Sequence, residues 1–215
     1  PAHAIVLLRG DFSPGSVAAL LALFERRSVA VPVTADAATR AEEMIAIARA
    51  EWILQIDDAD GGSIRKLDTK AEHPLYERLA SASHPGLVLF SSGSTGECKG
   101  VVHDVARLLE KYRTIRRDLR TLAFLHFDHI GGIDTLFYCL SNGSTLVVPA
   151  DRSPEAVCEA VSRHRVEVLP VAPTFLNLLL LSEAHQKADL GARRVITYGA
   201  EGMPPSLLAR RRQAV

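Results

Sequence analysis

Phe90-Ser91-Ser92-Gly93-Ser94-Thr95-Gly96-Glu97-Cys98-Lys99-Gly100-Val101 decides how this chain of 215 residues is read. The apolar run Leu87-Val88-Leu89-Phe90 leads into it as a strand. Glycines let the backbone take positive φ and turn its N–H groups outward. The hydroxyls of Ser91, Ser92, Ser94 and Thr95 add donors, and Lys99 adds a point charge. Together they predict a concave, positive nest suited to a polyphosphate. The competing reading is an ordinary Gly/Ser turn after a strand. A Walker A loop is excluded, since it requires G-x-x-x-x-G-K-[ST]. Counted from Gly93, the second glycine position holds Cys98, and Gly100 stands where the metal-binding hydroxyl is needed.

Outward from this loop the chain alternates strand with helix. Strands are expected at Ala4–Leu8, Val29–Val33, Trp52–Ile56, Thr121–Leu125, Ser144–Val148, Val166–Val171 and Arg194–Tyr198, with Ile64–Leu67 as a hairpin partner. Ser13-Pro14 and Ser153-Pro154 read as helix starts, with an N-cap followed by proline. Thr39 reads as the cap of a helix through Ala50, and a short helix lies between His73-Pro74 and His84-Pro85. Further helices are expected at Val102–Tyr112, from Gly131 or Gly132 to Leu140, at Pro173–Leu181 and at Pro204–Arg212. Such alternation predicts an α/β fold with mostly parallel sheets flanked by helices. Ligands in these sheets bind at the carboxyl ends of strands. Three distinctive segments fall there: Ser91–Lys99, His126–Gly132 and Tyr198–Glu201.

Composition removes several function classes. Lys plus Arg and Asp plus Glu number 25 each, so no global field points to nucleic acid or an anionic membrane. The basic runs Lys111–Arg120 and Arg210-Arg211-Arg212 read as solvated helix faces. Cys98, Cys139 and Cys158 are odd in number and far apart, which suggests a reducing, cytoplasmic setting without a disulfide framework. No apolar run is long enough to span a bilayer, and no signal peptide is visible. Asp57-Asp58-Ala59-Asp60-Gly61-Gly62 opens like a calcium loop, but Asp68 stands where the closing glutamate belongs. His126 and His129 find no third ligand at a zinc spacing, so no metal site is assigned.

The opening loop resembles the signature of the adenylate-forming superfamily, [ST]-S-G-[ST]-T-G-x-P-K-G-V, and departs from it only at Cys98, where proline is usual. Leu125-His126-Phe127-Asp128-His129-Ile130-Gly131-Gly132 looks like that family's next motif, Pro173-Thr174-Phe175-Leu176 like a segment bordering the acyl pocket, and Tyr198-Gly199-Ala200-Glu201 like its [GY]-G-[AG]-E segment. The resemblance implies that Ser91, Ser92, Gly93, Ser94, Thr95, Gly96 and Lys99 hold the phosphates of ATP. It implies that Gly199, Ala200 and Glu201 carry the adenine, and that His129, Gly131, Gly132, Asp134 and Thr174 border the acid. His129, Lys99 and Thr95 are then the catalytic candidates. For His129 the alternative is a structural histidine, and for Tyr198–Glu201 a turn without a ligand.

The form of these motifs is nearer to acyl- or aryl-CoA ligases than to peptide-synthetase domains. The implied reaction is ATP- and Mg2+-dependent activation of a carboxylic acid, followed by thioester formation with coenzyme A. A patch for coenzyme A phosphates is the sharper reading of the basic runs. An aryl or fatty acid is favoured over an amino acid, because no carboxylate is evident for an α-amino group. The rival readings are an adenylation domain loading a carrier protein, and a non-catalytic adenylate- or acyl-binding module. No Tyr-Gly-x-[ST]-Glu segment, ribose-binding Asp, hinge or C-terminal catalytic lysine is found. The resemblance places them after Val215. Residues 1–215 are therefore expected to be part of an N-terminal AMP-binding domain, with subdomains 1–86 and 87–215, lacking its C-terminal lid domain.

Overall fold

Strand β1 (Ile5–Arg9) shows no polar alternation, and its first four residues are buried. That is the pattern of a strand covered on both faces. In the computed structural model, which describes residues 3–92, 98–199 and 202–207, β1 lies inside a six-stranded sheet. Helix α1 (Pro14–Glu25) starts as its sequence requires, with Ser13 Oγ accepting from the Ser16 N–H at 3.0 Å and Pro14 just inside the first turn. The fully buried β2 (Val29–Val33) follows. A 3-10 segment (Ala35–Arg40) then leads into α2 (Ala41–Ala48), β3 (Trp52–Ile56) and β4 (Gly62–Lys66). After α3 (Pro74–Ser81) come β5 (Gly86–Ser92), β6 (Cys98–Asp104) and the single turn α4 (Val105–Leu108).

The sheet order is β4-β3-β1-β2-β5-β6. Its four inner strands are parallel, while β4 and β6 run antiparallel at the edges. Leu7, Val31, Met44, Ile53, Tyr76 and Val88 share one core. Within it the Tyr76 hydroxyl donates to the Ala48 carbonyl at 2.8 Å, and burial pushes that phenol up to about 12.

A second sheet has the order β10-β9-β7-β8 and is wholly parallel. It is built from β7 (Thr121–Leu122), α5 (Ile130–Asn142), β8 (Leu146–Val147), α6 (Pro154–His164), β9 (Val168–Val171), α7 (Pro173–Leu181) and β10 (Val195–Tyr198). Leu122, Val157, Leu169 and Leu176 centre its core, with Phe124 and Phe175 rings 4.2 Å apart. Among the described residues no helix is long and apolar enough to cross a membrane.

The α/β class with helix-flanked, largely parallel sheets is as the sequence predicts. Two compact units divide the chain. One runs to Arg113 and also takes in His126–Ile130; the other comprises Thr114–Leu125 and the chain from Gly131 onward. The division does not fall at 86/87, because β5 hydrogen-bonds onto β2 and β6 onto β5, so that both extend the first sheet. Other expectations need correction. Val102 to Tyr112 is not one helix. Val101 and Val102 pair with Leu89 and Val88 in β6, and only then do α4 and a 3-10 turn (Leu109–Tyr112) follow. Thr39 caps nothing; it lies inside the 3-10 segment, and α2 begins behind Arg40 with no side-chain cap. The strands expected at Thr121–Leu125 and Ser144–Val148 are ladders of two residues each.

Asp104, at the end of β6, caps α4 through the Arg107 N–H at 3.3 Å and meets His84 Nδ1 at 2.8 Å. Burial pulls its carboxyl upward, but the hydrogen bonds from His84, Arg107 and Ala106 outweigh that and leave it below its ordinary value. A depressed carboxyl contributes stability that is complete above its unfolded value and is lost as pH falls through the folded one. Asp104→Asn keeps a capping oxygen, so it should flatten the loss of stability below about pH 4. Asp104→Ala should in addition cost about 1 kcal/mol at neutral pH. Urea unfolding across the acidic range checks both; an unchanged pH profile in the Asn variant would show that the His84 contact does not matter.

Candidate functional site

In the first unit the carboxyl edge of the six-stranded sheet collects what the sequence singled out. Strand β5 ends at that edge with Ser91 and Ser92, and β6 returns from it antiparallel. Ser92 pairs with Cys98 and Ser91 with Lys99, so residues 93–97 connect the two strands of a hairpin. Ser91 and Lys99 are exposed, and Lys99 makes no ion pair among the described residues. Gly100 faces the sheet so closely that a Cβ there would meet Phe90 Cε1 and Val88 Cγ1 at 3.3 Å each. Gly93, Ser94, Thr95, Gly96 and Glu97 lie outside the described residues, as do Ala200 and Glu201.

The His126–Ile130 segment is anchored at the same edge. Asp128 Oδ2 accepts from the Thr34 N–H at 3.0 Å and from Thr34 Oγ1 at 2.8 Å. Thr34 directly follows β2, the strand next to β5, and is itself buried. Phe127 is fully buried and meets Phe12, in the connection after β1, edge-on at 5.2 Å. A tight turn closes the segment, with the His129 N–H donating to the His126 carbonyl at 3.1 Å. The His129 side chain is exposed. His129, Ser91 and Lys99 therefore stem from one edge of one sheet, as expected from the strand–helix alternation.

The second unit holds the remaining described candidates. Gly131 and Gly132 lie in the first turn of α5 and Asp134 just beyond it; Thr135 Oγ1 donates to the Gly131 carbonyl at 2.8 Å, and Gly132 is buried. Thr174 is exposed in the first turn of α7, behind Pro173. It lines a cavity of about 330 Å³ with Pro173, Asn177, Gly202, Pro204 and Ser206. That cavity thus joins the start of α7 to the residues just after the Tyr198–Glu201 segment. Gly199 follows β10, and among the described residues no atom lies within 4 Å of where its Cβ would be. Among the described residues no group of three or more His, Cys, Asp or Glu side chains could hold a metal ion.

Sequence reasoning missed Thr34, Phe12 and Asn177. Nothing in their local pattern marks them, because each acquires its place through a partner distant in the chain. Asp128 was visible inside its motif, but its partner was not. Asp128→Ala strips the buried Thr34 of its acceptor and should cost about 2 kcal/mol of stability. Combined with Thr34→Val it should show a coupling of about 1 kcal/mol. Purely additive losses in denaturant unfolding would mean that this contact does not hold the segment.

Known proteins bear out the family resemblance. A family model described as AMP-binding enzyme matches residues 3–215. Acetyl-coenzyme A synthetase of Shewanella sediminis (strain HAW-EB3) is 28% identical over 94% of this chain, which spans only 36% of that protein's length. A plipastatin synthase of Bacillus subtilis (strain 168) is 32% identical over 73% of this chain and 6% of its own. Among solved structures, the Klebsiella oxytoca NpsA N-terminal subdomain in complex with 3-hydroxybenzoyl-AMSN has a TM-score of 0.73 at 19% identity, over 100% of this chain and 58% of that one. A sheet edge carrying the Ser91–Lys99 hairpin and the His126–Ile130 segment, under a family match across nearly the whole chain, makes this chain a member of the adenylate-forming, AMP-binding enzyme family.

Proposed function

We propose that this chain is the front portion of an ATP-dependent carboxylate–CoA ligase acting on an aryl or fatty acid. The observation that supports it most is the common origin of the Ser91–Lys99 hairpin and the anchored His129 segment at one sheet edge. In the proposed first step a carboxylate oxygen attacks the α-phosphorus of ATP. A mixed anhydride forms, the α–β bridge bond breaks, and pyrophosphate leaves. Such a transfer is mostly positioning and charge stabilisation. Lys99 and the donors of Ser91, Ser92, Ser94 and Thr95, with the backbone at Gly93 and Gly96, would hold the leaving pyrophosphate. Gly199, Ala200 and Glu201 would hold the adenine. His129 would orient the acid, with Gly131, Gly132, Asp134 and Thr174 bordering it. Among the described residues no group of three or more His, Cys, Asp or Glu side chains would hold Mg2+.

In the second step the thiol of coenzyme A attacks the acyl carbonyl, and AMP leaves with the electron pair of the broken anhydride bond. This step belongs to the longer protein with its C-terminal lid domain, in the cytoplasm. The relative among the peptide synthetases supports a second reading, in which the acceptor thiol is carried by a protein.

Two measurements test the proposal. Calorimetric titration of this chain with acyl-sulfamoyl-adenosines bearing aryl, fatty-acyl or aminoacyl groups should show saturable binding that prefers the aryl or fatty-acyl class. In the full-length protein, Lys99→Ala should lower ATP–pyrophosphate exchange by about 10²-fold. Wild-type exchange in that variant, or an aminoacyl preference, would overturn the corresponding part of the reading.

A further inference from the structure

The basic run Lys111–Arg120 has no part in the site described above. From 115 to 120 it forms no helix; it leads instead into β7, which Arg120 directly precedes. Arg165 lies three residues before β9, and Arg194 directly precedes β10. These strands are parallel, so their starts share the amino edge of the second sheet, opposite the edge at which such sheets take substrates. Backbone rungs tie the row together: the Glu167 N–H donates to the Arg120 carbonyl and the Arg194 N–H to the Glu167 carbonyl, each at 2.8 Å. The Glu167 side chain, only 19% exposed, serves both neighbours. Its Oε1 pairs with Arg194 Nε at 3.0 Å, and its Oε2 accepts from the Arg120 N–H at 3.1 Å. The Arg120 guanidinium is braced separately, donating from Nη1 to the His164 carbonyl at 3.2 Å. Arg165 makes no ion pair among the described residues.

Arg120, Arg165 and Arg194 line one cavity of about 650 Å³, which Glu167 and Asp118 share. Among the described residues, no aromatic ring and no large apolar side chain lines it. It therefore offers no platform for a nucleobase or an acyl chain. Three guanidinium groups meet two carboxylates there, and Glu167 is already engaged by the arginines on either side. Guanidinium forks match phosphate oxygens, and side chains braced in advance lose less freedom on binding. We infer that this amino edge is an anion site, built from none of the residues of the Ser91–Lys99 hairpin, which takes a compact polyphosphate through Arg120, Arg165 and Arg194. The polyphosphate is either free or the phosphate end of a larger molecule. Helices α5 and α6 also end here, at Asn142 and His164, and cations complement such ends. That role acts on stability without any ligand, so experiment separates the two. The inference does not depend on the proposed ligase function.

The test uses the full-length protein carrying Lys99→Ala, which weakens the hairpin as a competitor for the probe. Inorganic pyrophosphate is titrated into it by calorimetry at low salt. Arg165 stands in a left-handed conformation at the end of α6, with φ 52°, which glycine adopts without strain. Arg165→Gly therefore removes the charge and leaves the backbone at ease. It should weaken pyrophosphate binding about 10-fold, the worth of one charge-assisted contact. Arg165→Lys should lose less, keeping the charge without the fork. Pyrophosphate should also slow amide exchange at residues 143–145 and 191–194 in the parent, and not in Arg165→Gly. Tighter binding of 3′,5′-ADP than of pyrophosphate would assign the phosphates of a larger molecule, and the reverse order the free anion. Equal pyrophosphate affinity in parent and Arg165→Gly, or no saturation at millimolar pyrophosphate, overturns the inference. A shifted unfolding midpoint with equal affinity would leave Arg165 only its role at the helix end. A wild-type enzyme without ATP–pyrophosphate exchange would sink the ligase reading, while these titrations would still decide the anion site.

Discussion

The grip of Asp128 on Thr34 spans 94 residues of sequence, and the candidate site in the first unit depends on it. A single carboxylate oxygen accepts both the backbone N–H and the hydroxyl of a buried threonine at the end of β2. The adjoining Phe127 seals the attachment by burying its ring completely beside Phe12. A segment held by one polar contact alone would leave buried Thr34 in competition with water. One held by apolar packing alone would be free to rotate. Together they fix both depth and orientation, and His129, the next residue, is presented outward at the sheet edge.

That edge exists because of how the chain enters the sheet. Apolar strands buried on both faces have to be reached by helices crossing over them, and such crossovers make the strands parallel. Parallel strands deliver all their carboxyl-terminal connections to one edge. The β5–β6 hairpin is the exception: β6 folds straight back along β5 at the sheet margin. The close approach of Gly100 to Phe90 and Val88 keeps the returning strand tight against its partner.

Much of this was legible locally. The apolar runs Val29–Val33 and Trp52–Ile56, and the proline-started helix Pro173–Leu181, have the bounds read from sequence because burial and capping signals agree there. Reading failed where a long-range partner overrode a local signal. Val101 and Val102 precede a helical pattern, yet pairing with Leu89 and Val88 draws them into a strand, which β-branched residues tolerate well. Thr39 has capping chemistry, but the chain around it tightens into a 3-10 turn before α2 begins. The motifs of the candidate site announced themselves by composition. Their anchors did not, since Thr34 and Phe12 are ordinary residues until the fold brings Asp128 and Phe127 to them.

The departure at Cys98 shows why a motif cannot be scored position by position. Proline acts mainly on the unfolded chain, by narrowing the conformations that must be given up. A hydrogen bond acts on the folded state, and an exposed ion pair does so weakly, because side-chain entropy and solvent screening offset the charge attraction. Arg40 and Glu43 are each about two-fifths exposed, at 39% and 43%, so their contribution to global stability is small by this argument. What the forked Arg40–Glu43 contact supplies is a fixed orientation of the Glu43 carboxylate in the first turn of α2. A lysine meeting a polyphosphate acts as a point charge whose effect falls with distance. For the role proposed for Lys99, its exposed position on β6, opposite Ser91 at the sheet edge, therefore matters more than any single contact nearby.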